Sequence, residues 1–212
     1  MDIWTVIPVK AGRESKSRLA HELTAGQRAE LVAGLLDNTL TVLNQAPMVR
    51  QTVVISRDMA MLEIAHHQGA IGLFEEGVPG LNMAVTQAVA AVTAAGASAA
   101  LVLPADLPFI QVEDVAMMTQ PFLAANGHAG CGRLPLTMAI CADDKGEGTN
   151  ALLFPLPTNF VFQYGVGSFQ RHLQEAKRLG MTSHIIRAPG LRFDLDTEED
   201  WRIYRSAIKL PV

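Results

Sequence analysis

Residues 3–18 read IWTVIPVKAGRESKSR, an apolar run that passes directly into a basic loop. Ile3 to Val9 is short and rich in β-branched residues, as expected of a strand buried on both faces. Lys10, Arg13, Lys16 and Arg18 then fall within nine residues, with Ser15 and Ser17 among them. So many cations repel one another unless a polyanion sits between them, and a triphosphate is such an anion. The loop is not a Walker A sequence, because Lys16-Ser17 is not preceded by glycine. A solvated charged loop is the competing reading.

Working outward, strand and helix signals alternate. Leu31, Leu35, Leu36, Leu40 and Leu43 recur at helical spacing and predict a helix over 24–45. Thr52–Ser56 reads as a second strand, and Asp58 as the cap of a helix through His67. Ala70–Phe74 reads as a third strand. The turn Gly77-Val78-Pro79-Gly80 follows, then an Ala-rich helix over about 82–95. Ala99–Leu103 is a fourth strand, ending at Pro104-Ala105-Asp106-Leu107-Pro108. Alternation of this kind predicts a single α/β domain over 1–212, with a mixed, mostly parallel sheet and helices on both faces. Ligands bind such sheets beyond the carboxyl ends of the strands, where both the basic loop and Asp106 fall. In the second half Thr137–Cys141 and Ser183–Arg187 read as strands. Residues 143–150 read as a loop, and 162–168 as a loop opening a helix to about Leu179. Asp196 or Thr197 caps the last helix.

At 212 residues the chain suits one domain, and 49% hydrophobic with 18% charged residues is a globular composition. The formal charge of -4 offers no global field for nucleic acid or anionic membrane, so any polyanion site must be local. Cys131 and Cys141 have no metal-ligand spacing and read as small core residues of a reducing compartment. The first residues lack a basic leader, and the low-charge stretch 81–110 is broken by Gly96, Pro104, Asp106 and Pro108. A cytoplasmic protein is expected.

The carboxylates carry the chemistry. Asp106 lies between two prolines after a buried strand, and Asp194 and Asp196 straddle one residue, so both project to one side of an extended segment. Three carboxylates converging on a cleft suit a hard cation such as Mg2+, which takes one or two of them plus substrate phosphates. Gly146-Glu147-Gly148-Thr149-Asn150 and Gly165-Val166-Gly167-Ser168 offer backbone N–H groups, the second at a helix start, for a second phosphate on an acceptor. No GxSxG nucleophile elbow occurs, and neither cysteine sits beside an evident base. His172, beside the second glycine loop, reads as a supporting group.

The segments IPVKAGRESKSRL at Ile7–Leu19, GLN at Gly80–Asn82 and LPADLPFI at Leu103–Ile110 resemble the 2-phospho-L-lactate guanylyltransferase family of coenzyme F420 biosynthesis. So do GEGTNALL at Gly146–Leu153, YGVGSFQRH at Tyr164–His172 and FDLDTEED at Phe193–Asp200, all in the family's order. The resemblance implies a nucleotidyltransferase fold of the glycosyltransferase-A type, with GTP as donor and Mg2+ as cofactor. It implies an acceptor among phosphoenolpyruvate (favoured), 2-phospho-L-lactate and 3-phospho-D-glycerate. By the same analogy Lys10, Arg13, Lys16 and Arg18 hold GTP phosphates, Gly80 and Asn82 lie near guanine, and Lys16 and Asp106 are catalytic. Asp106, Asp194 and Asp196 bind metal, and Thr149, Gly165 and Ser168 bind the acceptor. One departure is Cys141-Ala142-Asp143-Asp144-Lys145, where the family often carries Pro-Asp-Arg. A reactive product implies coupling to a downstream transferase, and the apolar helix over 83–95 suggests a homodimer contact. The alternatives are another transferase of the same fold, using molybdenum cofactor or a nucleotide sugar, or a GTP-binding module without catalysis.

Overall fold

The computed structural model describes residues 2–10, 15–126 and 136–208. Ile3–Val9 forms β1, the strand expected there, and it is the hub of a seven-stranded sheet. Val49–Ser56 (β2) and Ala99–Val102 (β4) flank it in parallel, and Ile71–Phe74 (β3) adds in parallel beyond β2. Beyond β4 the direction reverses: Thr149–Pro155 (β6) is antiparallel to β4 and to Thr137–Ala142 (β5). Thr182–Ile185 (β7) closes the far edge parallel to β5, giving the order β3-β2-β1-β4-β6-β5-β7.

Period-two alternation divides the buried residues between two cores. Ile3, Ile7 and Val9 of β1 face one layer with Leu36 and Leu40, while Val6 faces the other with Val85 and Val89. The first layer is made by Ala25–Gln45 (α1), Met59–His67 (α2) and Val112–Asn126 (α4). Leu81–Ala94 (α3) and Ser168–Arg178 (α5) cover the opposite face. Helices on both faces of a mostly parallel sheet is the expected arrangement. α1 and α2 start at the capping residues their sequence offers. Thr24 Oγ1 accepts from Gln27 N while Gln27 Oε1 accepts from Thr24 N, a capping box, and Asp58 Oδ1 accepts from Ala60 N. Among the described residues no helix is long and apolar enough to cross a membrane.

Two expectations change. Residues 149–150 open β6 instead of ending a loop, because the apolar run behind them fills the centre of the sheet. The register Ala142↔Thr149 but Cys141↔Ala151 leaves Asn150 as a β-bulge, which turns its side chain independently of Thr149. One apolar face of α3 is in the core, through Val85, Ala88, Val89 and Val92, while Leu81 and Met83 are exposed. Finally α4, with Pro121 inside it, was not expected, nor was the short helix Pro189–Arg192 (α6). Cys141 is buried as read, and Cys131 lies outside the described residues.

Candidate functional site

The carboxyl ends of β1, β2 and β4 open onto a row of three adjoining cavities. The central one, of about 420 Å³, lies against Pro8, Lys10, Lys16, Arg18, Asp106 and Asp196. Lys16 is its centre. Its backbone is left-handed (φ 55°, ψ 37°), rare for a side chain with a Cβ, and its carbonyl accepts from Leu19 N at 2.9 Å as a 3-10 turn begins at Ser17. That twist delivers the ammonium between two carboxylates, 2.5 Å from Asp106 Oδ2 and 2.7 Å from Asp196 Oδ1. The side chain is only 6% exposed. Burial alone would lower its pKa, but Asp106 and then Asp196 more than cancel this and hold it above the ordinary lysine value.

Asp106 and the Asp194–Asp196 segment are held together by the backbone, Leu195 N donating to Asp106 O at 3.0 Å. Thr197 and Asp200 form their own capping box at the start of Glu198–Ile208 (α7), so Asp196 is relieved of the capping role and points at Lys16. The bulge at Asn150 aims its Nδ2 at Asp194 Oδ1, 3.2 Å away, and at Arg192 O. Burial, and then the charge of Asp106, push the Asp194 carboxyl up to about 6, against the pull of Asn150. Crowded anionic oxygens of this kind fit a hard dication in their chemistry. They are not yet converged as a ligand set: among the described residues no group of three or more His, Cys, Asp or Glu is arranged to hold a metal. The Lys16 ammonium stands between two of them instead.

The second cavity, about 390 Å³, shares Asp106 and Asp196 with the first and adds Thr149, Gly165, Ser168 and Asp194. All three expected acceptor residues therefore meet there. Ser168 begins α5 after Gly167, whose φ of 75° suits glycine, and Ser168 Oγ donates to Thr149 Oγ1 at 3.2 Å. Fully buried His172 lies beneath. Its Nε2 accepts from the backbone N–H of Gln163, 3.0 Å away, so that nitrogen is unprotonated and Nδ1 carries the proton. Nδ1 lies 3.0 Å from Thr149 Oγ1. Thr149 oxygen thus accepts from two sides, and its own hydrogen is left to donate elsewhere. Burial, with the nearby Arg171, depresses His172 to about 4, so it stays neutral.

Of the other expected residues, Lys10 and Arg18 line the central cavity, and Arg13 lies outside the described residues. Gly80 lines a third cavity, about 420 Å³, reached past Lys10. Asn82 Oδ1 accepts from Tyr164 N at 2.7 Å and its Nδ2 donates to Tyr164 O at 3.4 Å. It pins the acceptor-side loop to α3. Sequence reasoning missed Glu75, Asn150 and Arg57. Of these only Asn150 carried a signal, its place in the GTNALL run.

The parallel-stranded half thus ends in a buried lysine bracketed by carboxylates, and the antiparallel half presents hydroxyls. The chain matches the family described as "Guanylyl transferase CofC like" over residues 3–203 and belongs to it. Phosphoenolpyruvate guanylyltransferase of Rubrobacter xylanophilus is 40% identical over 200 residues, covering 94% of this chain and 92% of that one. A 3-phospho-D-glycerate guanylyltransferase of Phenylobacterium zucineum is 31% identical over 198 residues, covering 92% and 86%. In fold the chain is similar to a nucleotidyl transferase from Methanothermobacter, with TM-score 0.68, 17% identity and 98% of each chain covered. It is also similar to the glucosyl-3-phosphoglycerate synthase of Mycobacterium tuberculosis, with TM-score 0.63, 13% identity, and 98% and 77% covered.

Proposed function

We propose that the protein transfers GMP from GTP to a small phosphorylated acid, phosphoenolpyruvate in the first place, releasing pyrophosphate. The observation that carries this reading is Lys16, in the wall of the central cavity, held between Asp106 and Asp196, two carboxylates that line both cavities. The basic side takes the triphosphate and the hydroxyl side takes the acceptor, so the α-phosphorus falls between them. Phosphoenolpyruvate is favoured over 3-phospho-D-glycerate because the more similar relative carries that name.

In the reaction an acceptor phosphate oxygen bonds to the α-phosphorus, and the α–β bridging bond breaks with its electron pair leaving on pyrophosphate. A phosphomonoester with a second pKa of about 6 is already an anionic nucleophile at neutral pH, so no general base is needed. Lys10, Lys16 and Arg18 offset the charge of the triphosphate, and Thr149 and Ser168 with the start of α5 orient the acceptor. Asp106, Asp194 and Asp196 would hold Mg2+, which supplies further charge neutralisation when bound. The product is a phosphoanhydride, which favours immediate consumption by a downstream transferase of coenzyme F420 synthesis, and a GTP donor favours the cytoplasm.

The test is pyrophosphate release from GTP and Mg2+ with each of the three phospho-acids in turn, the downstream enzyme present to draw off product. Release with phosphoenolpyruvate and GTP, and none with ATP, is the expected result. Absence of release with every acceptor would dismiss the transfer reading.

A further inference from the structure

The third cavity contains a carboxylate next to the space proposed for the triphosphate. Glu75 follows β3, its side chain is 11% exposed, and it lines the same space as Lys10, Arg57 and Gly80. An acidic group in a cleft built for a triphosphate is repulsive unless it meets hydrogen-bond donors. One donor is internal: Gly80 N, at the start of α3, bonds to Glu75 Oε1 at 3.0 Å. Oε2 lies 3.8 Å from Arg57 Nε, and the Arg57 guanidinium also donates to Gly77 O. A carboxylate has about four lone-pair sites, so these contacts leave acceptor capacity unfilled. The remaining walls are apolar, with Ile55, Pro79, Leu81 and Ala84 around a space large enough for a flat heterocycle.

We infer that Glu75 reads the guanine base, its carboxylate accepting from the N1–H and the 2-amino group together. The inference rests on the GTP donor of the proposed function. Guanine presents two adjacent donors on that edge. Adenine presents an acceptor at N1, which the carboxylate repels, and lacks the 2-amino group. Apolar walls flank the ring faces, and the shared wall at Pro8, Val9 and Lys10 passes the triphosphate on to the central cavity beside Lys16. Glu75 is then a specificity residue. The plain alternative makes it only an anchor for the loop before α3.

Equilibrium titration of the full chain with GTP, ITP, XTP and ATP separates the two, because ITP lacks the 2-amino group and XTP replaces it with a carbonyl. Wild type is expected to bind GTP about tenfold more tightly than ITP, the worth of one charge-assisted hydrogen bond. In Glu75→Gln the amide oxygen still accepts from Gly80 N, so the loop anchor is kept. The amide N–H now suits the XTP carbonyl. GTP is expected to weaken by on the order of a hundredfold while XTP gains until it rivals GTP. An anchor-only role produces no gain for XTP. Equal binding of GTP and ITP by wild type overturns the inference, as does a Glu75→Gln variant that keeps the wild-type order of GTP over XTP. Should that variant fail to fold, the wild-type GTP to ITP ratio decides. Base discrimination without pyrophosphate release would remove the transfer reading and leave Glu75 as the guanine reader.

Discussion

Lys16 lines the central cavity and pairs with both carboxylates that the second cavity shares with it. Its removal leaves Asp106 and Asp196 facing each other across the cleft without a cation. Lys16→Ala or Asp106→Ala is expected to lower kcat by on the order of a hundredfold or more, measured as pyrophosphate release. Activity within a few-fold of wild type would dismiss these two assignments. Under the proposed function His172, bonded to Thr149, acts as a positioning residue. His172→Asn keeps an N–H near the place of Nδ1 and is expected to preserve acceptor KM, while His172→Phe raises it about tenfold. KM for GTP should not move in either. The depressed pKa has a sign: the unfolded chain binds this proton more readily than the folded one. Stability linked to His172 is therefore complete above its unfolded value near 6.5, and is lost as pH falls through that range toward about 4. Urea midpoints at pH 7 and pH 5 should differ more for wild type than for His172→Phe. The basic loop and Asp106 were legible in sequence because each is a short polar segment fixed to the end of an apolar strand. Glu75 was not, since a lone acid means nothing until the element opposite it is placed, and His172 read as a supporting group without the partner it supports, Thr149.

At the level of elements, local signals served well where a segment's partner is its neighbour. The leucine spacing of α1 and the caps at Thr24 and Asp58 are readable because they are contained within a few residues. β6 was not read as a strand, because its continuous apolar run has no period of its own. Its position is set by β5, its neighbour across the loop 143–148, and by β4, which is remote in sequence. In α4 the buried Val115, Met118 and Phe122 keep helical spacing, but Pro121 interrupts the pattern. That helix matters to the site through Asp114, whose Oδ1 accepts from Gly190 N at 3.1 Å and whose Oδ2 accepts from Gln111 N at 2.9 Å. At Gly190 a Cβ would overlap the Asp114 carboxylate and the Phe109 carbonyl, both fixed. Gly190→Ala is expected to destabilise the protein by about 1–3 kcal/mol in chemical denaturation. No measurable shift would show that α6 can slide away from α4.

Over the whole molecule the sheet falls into two directions. Strands β1 to β4 run parallel and present their carboxyl ends to the central and third cavities, whereas β6 runs against them and presents its amino end, at Thr149, to the second cavity. Tyr164 and Asn82 tie the two sides together through the backbone of a single loop. Exchanging residues 143–168 for the matching segment of the Phenylobacterium zucineum relative is expected to move acceptor preference toward 3-phospho-D-glycerate. KM for GTP should stay within about threefold, as for changes at separated sites. A loss of GTP binding equal to the change in acceptor use would contradict this division. Because the strand that begins at Thr149 lies late in the chain and runs in the opposite sense, its surroundings are written in a different stretch of the gene from the loop that carries Lys16. Under the proposed function, the two substrates can therefore be re-engineered one at a time.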